Sequence, residues 1–281
     1  MKLLDIIRTT KVGRQELAIC WLGQAGFCLK DMDGHILMFD PYFSNCGERM
    51  RGFKRLSAKL VDPAEAAPHY YITTHLHFDH FDYDAIPVVA QNSPHTFFLG
   101  PSPCMERLVQ SGANPQMCCC LNCGDMYEDE TISVRAVWAD HGLMAPEAIG
   151  VLLEMGGHRL YFSGDTAFHE DLFRTVASFR PEIVFLSVNG QFGNMDAQEG
   201  VEAARLIGAK YAVPCHIWTF MEHQGDLYGF WKGIEKLPEC TPRCFSQGEI
   251  QLLDQAGRLT ERENAVYELY EGDSLYETRG H

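Results

Sequence analysis

The 281-residue sequence lacks any apolar run approaching 18 uncharged residues, so no membrane-spanning helix is expected. It is also short of positive charge: 23 Lys and Arg face 38 Asp and Glu, a formal net charge of −15. Broad nucleic-acid or anionic-membrane surfaces need clustered Lys and Arg, so neither partner class is expected. A single small anionic substrate stays open, because bound metal ions reverse the local potential. No internal repeat, Pro/Gly/Ser linker or low-complexity tract interrupts the chain. One domain over 1–281 follows, with a core over about 15–255 and an acidic tail over about 257–281. The opening stretch is broken by Asp5, Arg8, Lys11 and Arg14 and shows no signal-peptide core. Eleven Cys, an odd number, speak against a complete disulfide framework and read as reduced thiols of a cytoplasmic protein. With 46% apolar and 22% charged residues, the chain is neither disordered nor a coiled coil.

What is present is a series of short β-type runs: Leu17–Leu22, Gly26–Leu29, His35–Phe39, Tyr70–Thr73, Thr96–Leu99, Ile132–Val137, Gly150–Leu153, Arg159–Phe162, Ile183–Val188 and Tyr211–Val213. Several are almost continuously apolar, as strands covered on both faces are. Helical patterns fall at Tyr83–Gln91, Pro103–Gln110, His169–Ser178, Ala197–Ile207 and Leu227–Leu237. Asp196 and Glu199 form a capping-box pair at the start of the fourth. Strand and loop dominate the first half, and strand and helix alternate in the second. The expected architecture is α/β, a sheet sandwich flanked by helices.

The segment Tyr70–Asp82 (YYITTHLHFDHFD) carries the strongest chemical signal. Three His and one Asp lie within six residues, directly after an apolar strand. Side chains at i and i+2 of extended chain point the same way, so His75 and His77 can converge on one ion. A turn would then bring Asp79 and His80 beside a second. Imidazole and carboxylate suit Zn²⁺, Mn²⁺ and Fe²⁺. Further candidates follow apolar strands: Asp140 and His141, Asp165 in Ser163–Thr166 (SGDT), and His216. Ligand sites in layered α/β folds are built at such strand ends.

With these pieces in order, the chain resembles the metallo-β-lactamase superfamily of hydrolases. Within it the nearest resemblance is to the L-ascorbate-6-phosphate lactonase-like branch. The matching segments are Trp21–Gly26 (WLGQAG), Phe39–Asp40, Thr74–His80 (THLHFDH), Tyr161–Asp165 (YFSGD) and Val213–Trp218 (VPCHIW), spread over roughly Leu17–Leu237. The resemblance implies a four-layer αββα sandwich with two divalent ions, Mn²⁺ or Zn²⁺. His75, His77 and His141 would hold the first ion, Asp79, His80 and His216 the second, and Asp165 would bridge them. Asp140 is an alternative inward group beside His141. Lactonase relatives also imply a homo-oligomer.

The expected function is hydrolysis of a small anionic lactone such as L-ascorbate 6-phosphate through a metal-bound hydroxide. Asp79 and Asp165 are the expected catalytic carboxylates, orienting the nucleophile and moving its proton. The basic stretch Cys46–Arg55 holds Arg49, Arg51, Lys54 and Arg55. It reads equally as a loop meeting a substrate phosphate and as a solvated surface loop. His169 and Asn189 are further substrate-contact candidates, and Trp218 and His223 read as pocket wall. His35, His69, His95, His158 and His281 have no ligand-like neighbours. Cys118–Cys120 reads as a buried strand using Cys as a small hydrophobe, with a structural zinc site as the lesser reading. The competing functions are a phosphodiesterase of the same superfamily, an iron redox enzyme on the same fold, and a non-catalytic binding protein.

Overall fold

The computed structural model describes residues 1–261 and position 269. Beyond Glu261 the expected acidic tail lies outside the described residues, Leu269 apart.

The first strands are β1 (Leu17–Gly23), β2 (Gly26–Lys30), β3 (Ile36–Phe39), β4 (Tyr70–Ile72), β5 (Phe97–Gly100) and β6 (Cys118–Cys120). The next run is β7 (Met126–Glu128), β8 (Ile132–Trp138), β9 (Ile149–Met155), β10 (His158–Phe162), β11 (Ile183–Ser187), β12 (Tyr211–Cys215) and β13 (Thr241–Pro242). Finally β14 (Ile250–Leu253) and β15 (Leu259–Glu261) return to the first sheet. Among the described residues one sheet runs β15-β14-β1-β2-β3-β4-β5-β6 and the other β13-β12-β11-β10-β9-β8-β7. All ten expected runs are strands. The short pieces β7, β13, β14 and β15 were not expected.

The alternation of strand side chains builds two cores from one sheet. Leu17, Ile19 and Trp21 of β1 face the inter-sheet core. Ala18, Cys20 and Leu22 face a second core under the flanking helices. That second core takes side chains from α1 (Leu3–Thr9), α3 (Ile86–Asn92) and α4 (Ser102–Gln110). A short helix, α2 (Cys46–Arg51), lies between β3 and β4. On the far side, α5 (Glu170–Phe179), α6 (Ala197–Ile207) and α7 (Leu227–Ile234) bury Phe173, Val176, Ala203, Ala204, Phe230 and Ile234 against the second sheet. Asp196 and Glu199 make the anticipated reciprocal cap of α6. The result is the four-layer αββα sandwich.

Where the two sheets meet, Phe162 stacks on Phe185 at 4.3 Å and on Phe39 at 4.2 Å. Phe27 closes the group 4.4 Å from Phe185. These buried rings are the mechanical centre of the sandwich. Phe162→Ala is expected to cost about 3–5 kcal/mol, through lost transfer energy plus a cavity, read as a lower midpoint in chemical denaturation.

Two expectations change. The start of the basic stretch is helical, because α2 spans Cys46–Arg51 and ends at Gly52 in the left-handed conformation. The Cys118–Cys120 strand is not buried: it is the edge β6, with Cys118 and Cys119 half-buried and Cys120 exposed. No strand covers its outer side among the described residues.

Candidate metal centre

The segments that carry the expected ligands all emerge from the same end of the sandwich. His75 to His80 follow β4, His141 follows β8, Asp165 follows β10 and His216 follows β12. The two clusters predicted from the resemblance come together. His75 Nε2 stands 3.0 Å from His77 Nδ1, which stands 3.1 Å from His141 Nε2. His80 Nε2 and His216 Nε2 are 3.1 Å apart, and His216 Nε2 is 3.1 Å from Asp79 Oδ2. Asp165 lies between them. Its Oδ2 is 3.6 Å from His141 Nε2 and 3.2 Å from His216 Nε2, and its Oδ1 is 3.2 Å from His80 Nε2.

The donor set fits two cations. His77 Nδ1 faces two other ring nitrogens, and a single N–H proton cannot serve both. Nitrogens sharing one tetrahedral ion at about 2.0–2.1 Å stand roughly 3.3 Å apart, close to this spacing. Asp165 Oδ1 is buried and accepts no hydrogen bond. A buried carboxylate oxygen is costly in that condition unless a cation faces it.

The surroundings aim these ligands. Asp40 is fully buried at the end of β3, with φ at +39°. Its Oδ1 accepts from the Thr74 amide at 2.8 Å, and its Oδ2 faces the Thr74 hydroxyl at 2.6 Å and His80 Nδ1 at 2.7 Å. The carboxylate therefore orients the His80 ring and leaves Nε2 to the site. Asp82 ties the motif to the loop after β3 by accepting from the Phe43 and Ser44 amides at 2.8 and 2.7 Å. Gly164 brings Asp165 into place: its φ is +58°, and a Cβ there would lie 2.5 Å from the Ile149 carbonyl oxygen. No other residue fits that turn.

Gln24 is the unanticipated member. It is fully buried in the β1–β2 turn at φ +52°. Its Nε2 lies 2.7 Å from Asp79 Oδ2, 3.2 Å from His216 Nε2 and 2.7 Å from His223 Nδ1. Its carbonyl accepts from the His216 amide at 3.0 Å. The segment Trp21–Gly26 was singled out as a motif, yet nothing in it told which side chain reached the site.

The charges divide the two clusters. Burial keeps His75 well below its ordinary value, with help from the charge of His80, and burial also lowers His77 and His141. In the second cluster burial pushes the same way but is outweighed. Asp165, Asp40 and Asp79 raise His80, and Asp165 and Asp79 raise His216 to about 9. Burial would raise Asp79 and Asp165, but the facing imidazoles hold both well below the carboxylate range. Metal ligation needs neutral imidazole, so an ion entering the second cluster must displace protons. Protons compete where the histidine value is raised, so affinity falls in acid. At pH 7 the second ion is expected to release up to two protons, from His80 and His216, and to bind more tightly as pH rises toward about 9. The first ion, on imidazoles already neutral, is expected to release almost none. Calorimetric titration in two buffers of different ionisation enthalpy checks both.

The remaining candidates spread out. His141 points inward, whereas Asp140 turns away to His169, with 2.6 Å between Oδ2 and Nε2. His169 also packs against Trp138 at 4.8 Å. Asn189 is buried, with its amide 3.5 Å from the Gln191 carbonyl. In the basic stretch, Arg51 lines the cavity over the ligands. Arg49 pairs with Asp84. Arg55 donates to the Tyr42 and Ser44 carbonyls at 2.7 and 2.9 Å, and Lys54 is exposed. The four cations do not converge on one anion. His223 lines the cavity beside the second cluster, and its value is lowered to about 4 by burial and by the charge of His216.

Fold and site together define a protein of metallo-β-lactamase type with paired metal-ligand clusters. Residues 35–217 match the family model described as the beta-lactamase superfamily domain. A UPF0173 metal-dependent hydrolase of Thermoplasma acidophilum is 30% identical over 211 residues, covering 73% of this chain and 85% of that protein. The chain belongs to the UPF0173 metal-dependent hydrolase family of the metallo-β-lactamase superfamily. A relative from Methanocorpusculum labreanum is 34% identical over 125 residues, which span 41% of this chain and 57% of that one. In fold the chain is similar to Igni18, a metallo hydrolase from Ignicoccus hospitalis, with a TM-score of 0.69 and 19% identity over 84% of this chain and 98% of that one. It is also similar to CmlA, a diiron β-hydroxylase from Streptomyces venezuelae, with a TM-score of 0.59 and 12% identity over 84% and 53% of the two chains. Among the described residues no helix is long and apolar enough to cross a membrane.

Proposed function

We propose that this chain is a hydrolase with two divalent ions that cleaves a carboxylic ester, with a lactone as the leading class. The observation that carries the reading is the placement of Asp165, whose two oxygens face one imidazole of the first cluster and two of the second. His75, His77 and His141 would hold one ion and Asp79, His80 and His216 the other. Ions so held supply Lewis acidity, polarising the scissile carbonyl and lowering the pKa of nearby water toward about 7. The chain's own groups do the rest. Asp79 and Asp165 are both ionised, and one of the two accepts the proton of the attacking water while the other stays anionic. Gln24 fixes Asp79 through its 2.7 Å contact. His223 has its Nδ1 against Gln24, which leaves Nε2 to face a substrate. Water adds to the acyl carbon, the acyl–oxygen bond breaks, and the departing alkoxide takes up the proton that the carboxylate accepted from the water.

The test is metal-replete turnover across lactones, simple esters and bis(p-nitrophenyl) phosphate, with Zn²⁺, Mn²⁺ or iron loaded separately. Ester or lactone turnover with Zn²⁺ or Mn²⁺ and no oxygen uptake is expected. Dominant diester turnover would replace this reading with a phosphodiesterase. Oxygen uptake with iron would replace it with a redox enzyme.

A further inference from the structure

The cavity over the metal centre has a volume of about 400 Å³, within the ordinary range of small-molecule sites. Its floor is polar: His77, Asp79, His141, Asp165, His216 and His223. Its walls are not. Met50, Phe53, Leu76, Phe78, Met144 and Phe192 rise above the floor. Tyr83 is also at the wall, but its hydroxyl donates to the Leu76 carbonyl at 2.9 Å. Arg51 is the cation lining the cavity among the described residues.

The rings form a set. Phe53 lies 5.7 Å from Phe78, at 88° between planes, and 5.8 Å from Phe192. Phe53 and Phe192 in turn stand 5.7 and 5.3 Å from the His223 ring. The cavity is thus apolar on the side where these rings pack on His223. Its rim is left exposed: Phe192 is 46% accessible and Met144 53%. Clustered exposed apolar side chains beside a cavity mark a binding surface.

Phe192 supplies a second, separate observation. Its φ is +55°, a left-handed conformation that bulky residues seldom adopt. The ring packs on Phe53 and His223 and still leaves nearly half of the residue accessible beside the cavity.

We propose that the substrate carries an apolar, aromatic-sized substituent beside the reacting carbonyl, seated against the contiguous wall of Phe53, Phe78 and Phe192. The site then takes hydrophobic esters or lactones in preference to sugar phosphates. A sugar phosphate needs many hydrogen-bonding partners and converging cations, and these walls offer neither. The proposal rests on the hydrolase reading above and narrows its substrate.

The experiment has a kinetic and a binding arm. With metal-replete protein, 4-nitrophenyl acetate, butyrate, hexanoate and phenylacetate are compared. The value of kcat/KM should rise about fourfold per added methylene until the cavity is filled. Phe192→Ala, at the exposed rim where folding is least disturbed, should flatten that rise, as should Phe53→Ala. Turnover that is insensitive to chain length overturns the proposal and leaves the hydrolase reading standing. A lack of turnover with every ester and lactone overturns the hydrolase reading instead. The binding arm needs no turnover: calorimetry with acetate, hexanoate and phenylacetate should show phenylacetate binding at least tenfold tighter than acetate, and Phe192→Ala should erase most of the difference. Equal binding of the three carboxylates overturns the proposal in either case.

Discussion

Asp165→Asn is expected to lower kcat by roughly 10³-fold or more and to cut the metal content from two ions per chain to one or none. The substitution is nearly isosteric and keeps the turn at Gly164, so the effect comes from charge. Asp165 is buried, lies 3.2 Å from both His80 and His216, and has an orphaned Oδ1. A neutral amide would neither balance two cations nor accept a proton from water. The amide would also turn an N–H toward one of the clusters, where it repels an ion. Metal analysis by inductively coupled plasma mass spectrometry and steady-state turnover on the same preparation check this. Two ions and near-normal turnover in the variant would remove Asp165 from the centre of the mechanism.

Asp40→Asn should act only on the second ion, weakening its binding about 10–100-fold. Asp40 touches neither cluster as a ligand but faces His80 Nδ1 at 2.7 Å. Burial raises its own value, while the charge of His80 pulls it back down. The carboxylate makes His80 a stronger base and fixes the ring. Asn tolerates the left-handed backbone at this position and can still accept from Thr74, so folding is preserved. Competition with a chromophoric chelator should show one ion bound as in the wild type and the other markedly weakened. An equal loss at both would mean that Asp40 holds the whole loop rather than one ring.

Much of this centre was legible because its densest part is local. His75, His77, Asp79 and His80 sit within six residues after β4, although the strand ends at Ile72 and a bend over 75–77, not extended chain, brings the first two together. His141, Asp165 and His216 stand one to a strand end, and only their order along the chain, set beside a known family, picked them out. Asp40 and Gln24 were invisible as functional groups for a physical reason. Each is a single polar residue at the end of an apolar strand, and its partner lies 40 or 55 positions away. No local pattern encodes such contacts.

The basic stretch shows the converse. Its four cations look concerted in sequence, but Asp84 takes Arg49, and backbone carbonyls take Arg55. Arg51 alone of the four lines the cavity. Strands were read well where alternating side chains are buried on both faces, as in β1 and β3. The edge strand β6 was misjudged because three consecutive Cys look like core, whereas its position in the sheet order leaves one side open.

The central claim is that two ions act together across Asp165. The most direct measurement strips the protein with a chelator and titrates Zn²⁺ or Mn²⁺ back while following ester or lactone turnover. Turnover should stay near the baseline through the first equivalent and rise to its plateau with the second. Full turnover at one equivalent, or hydrolysis that survives stripping, would contradict the two-ion account.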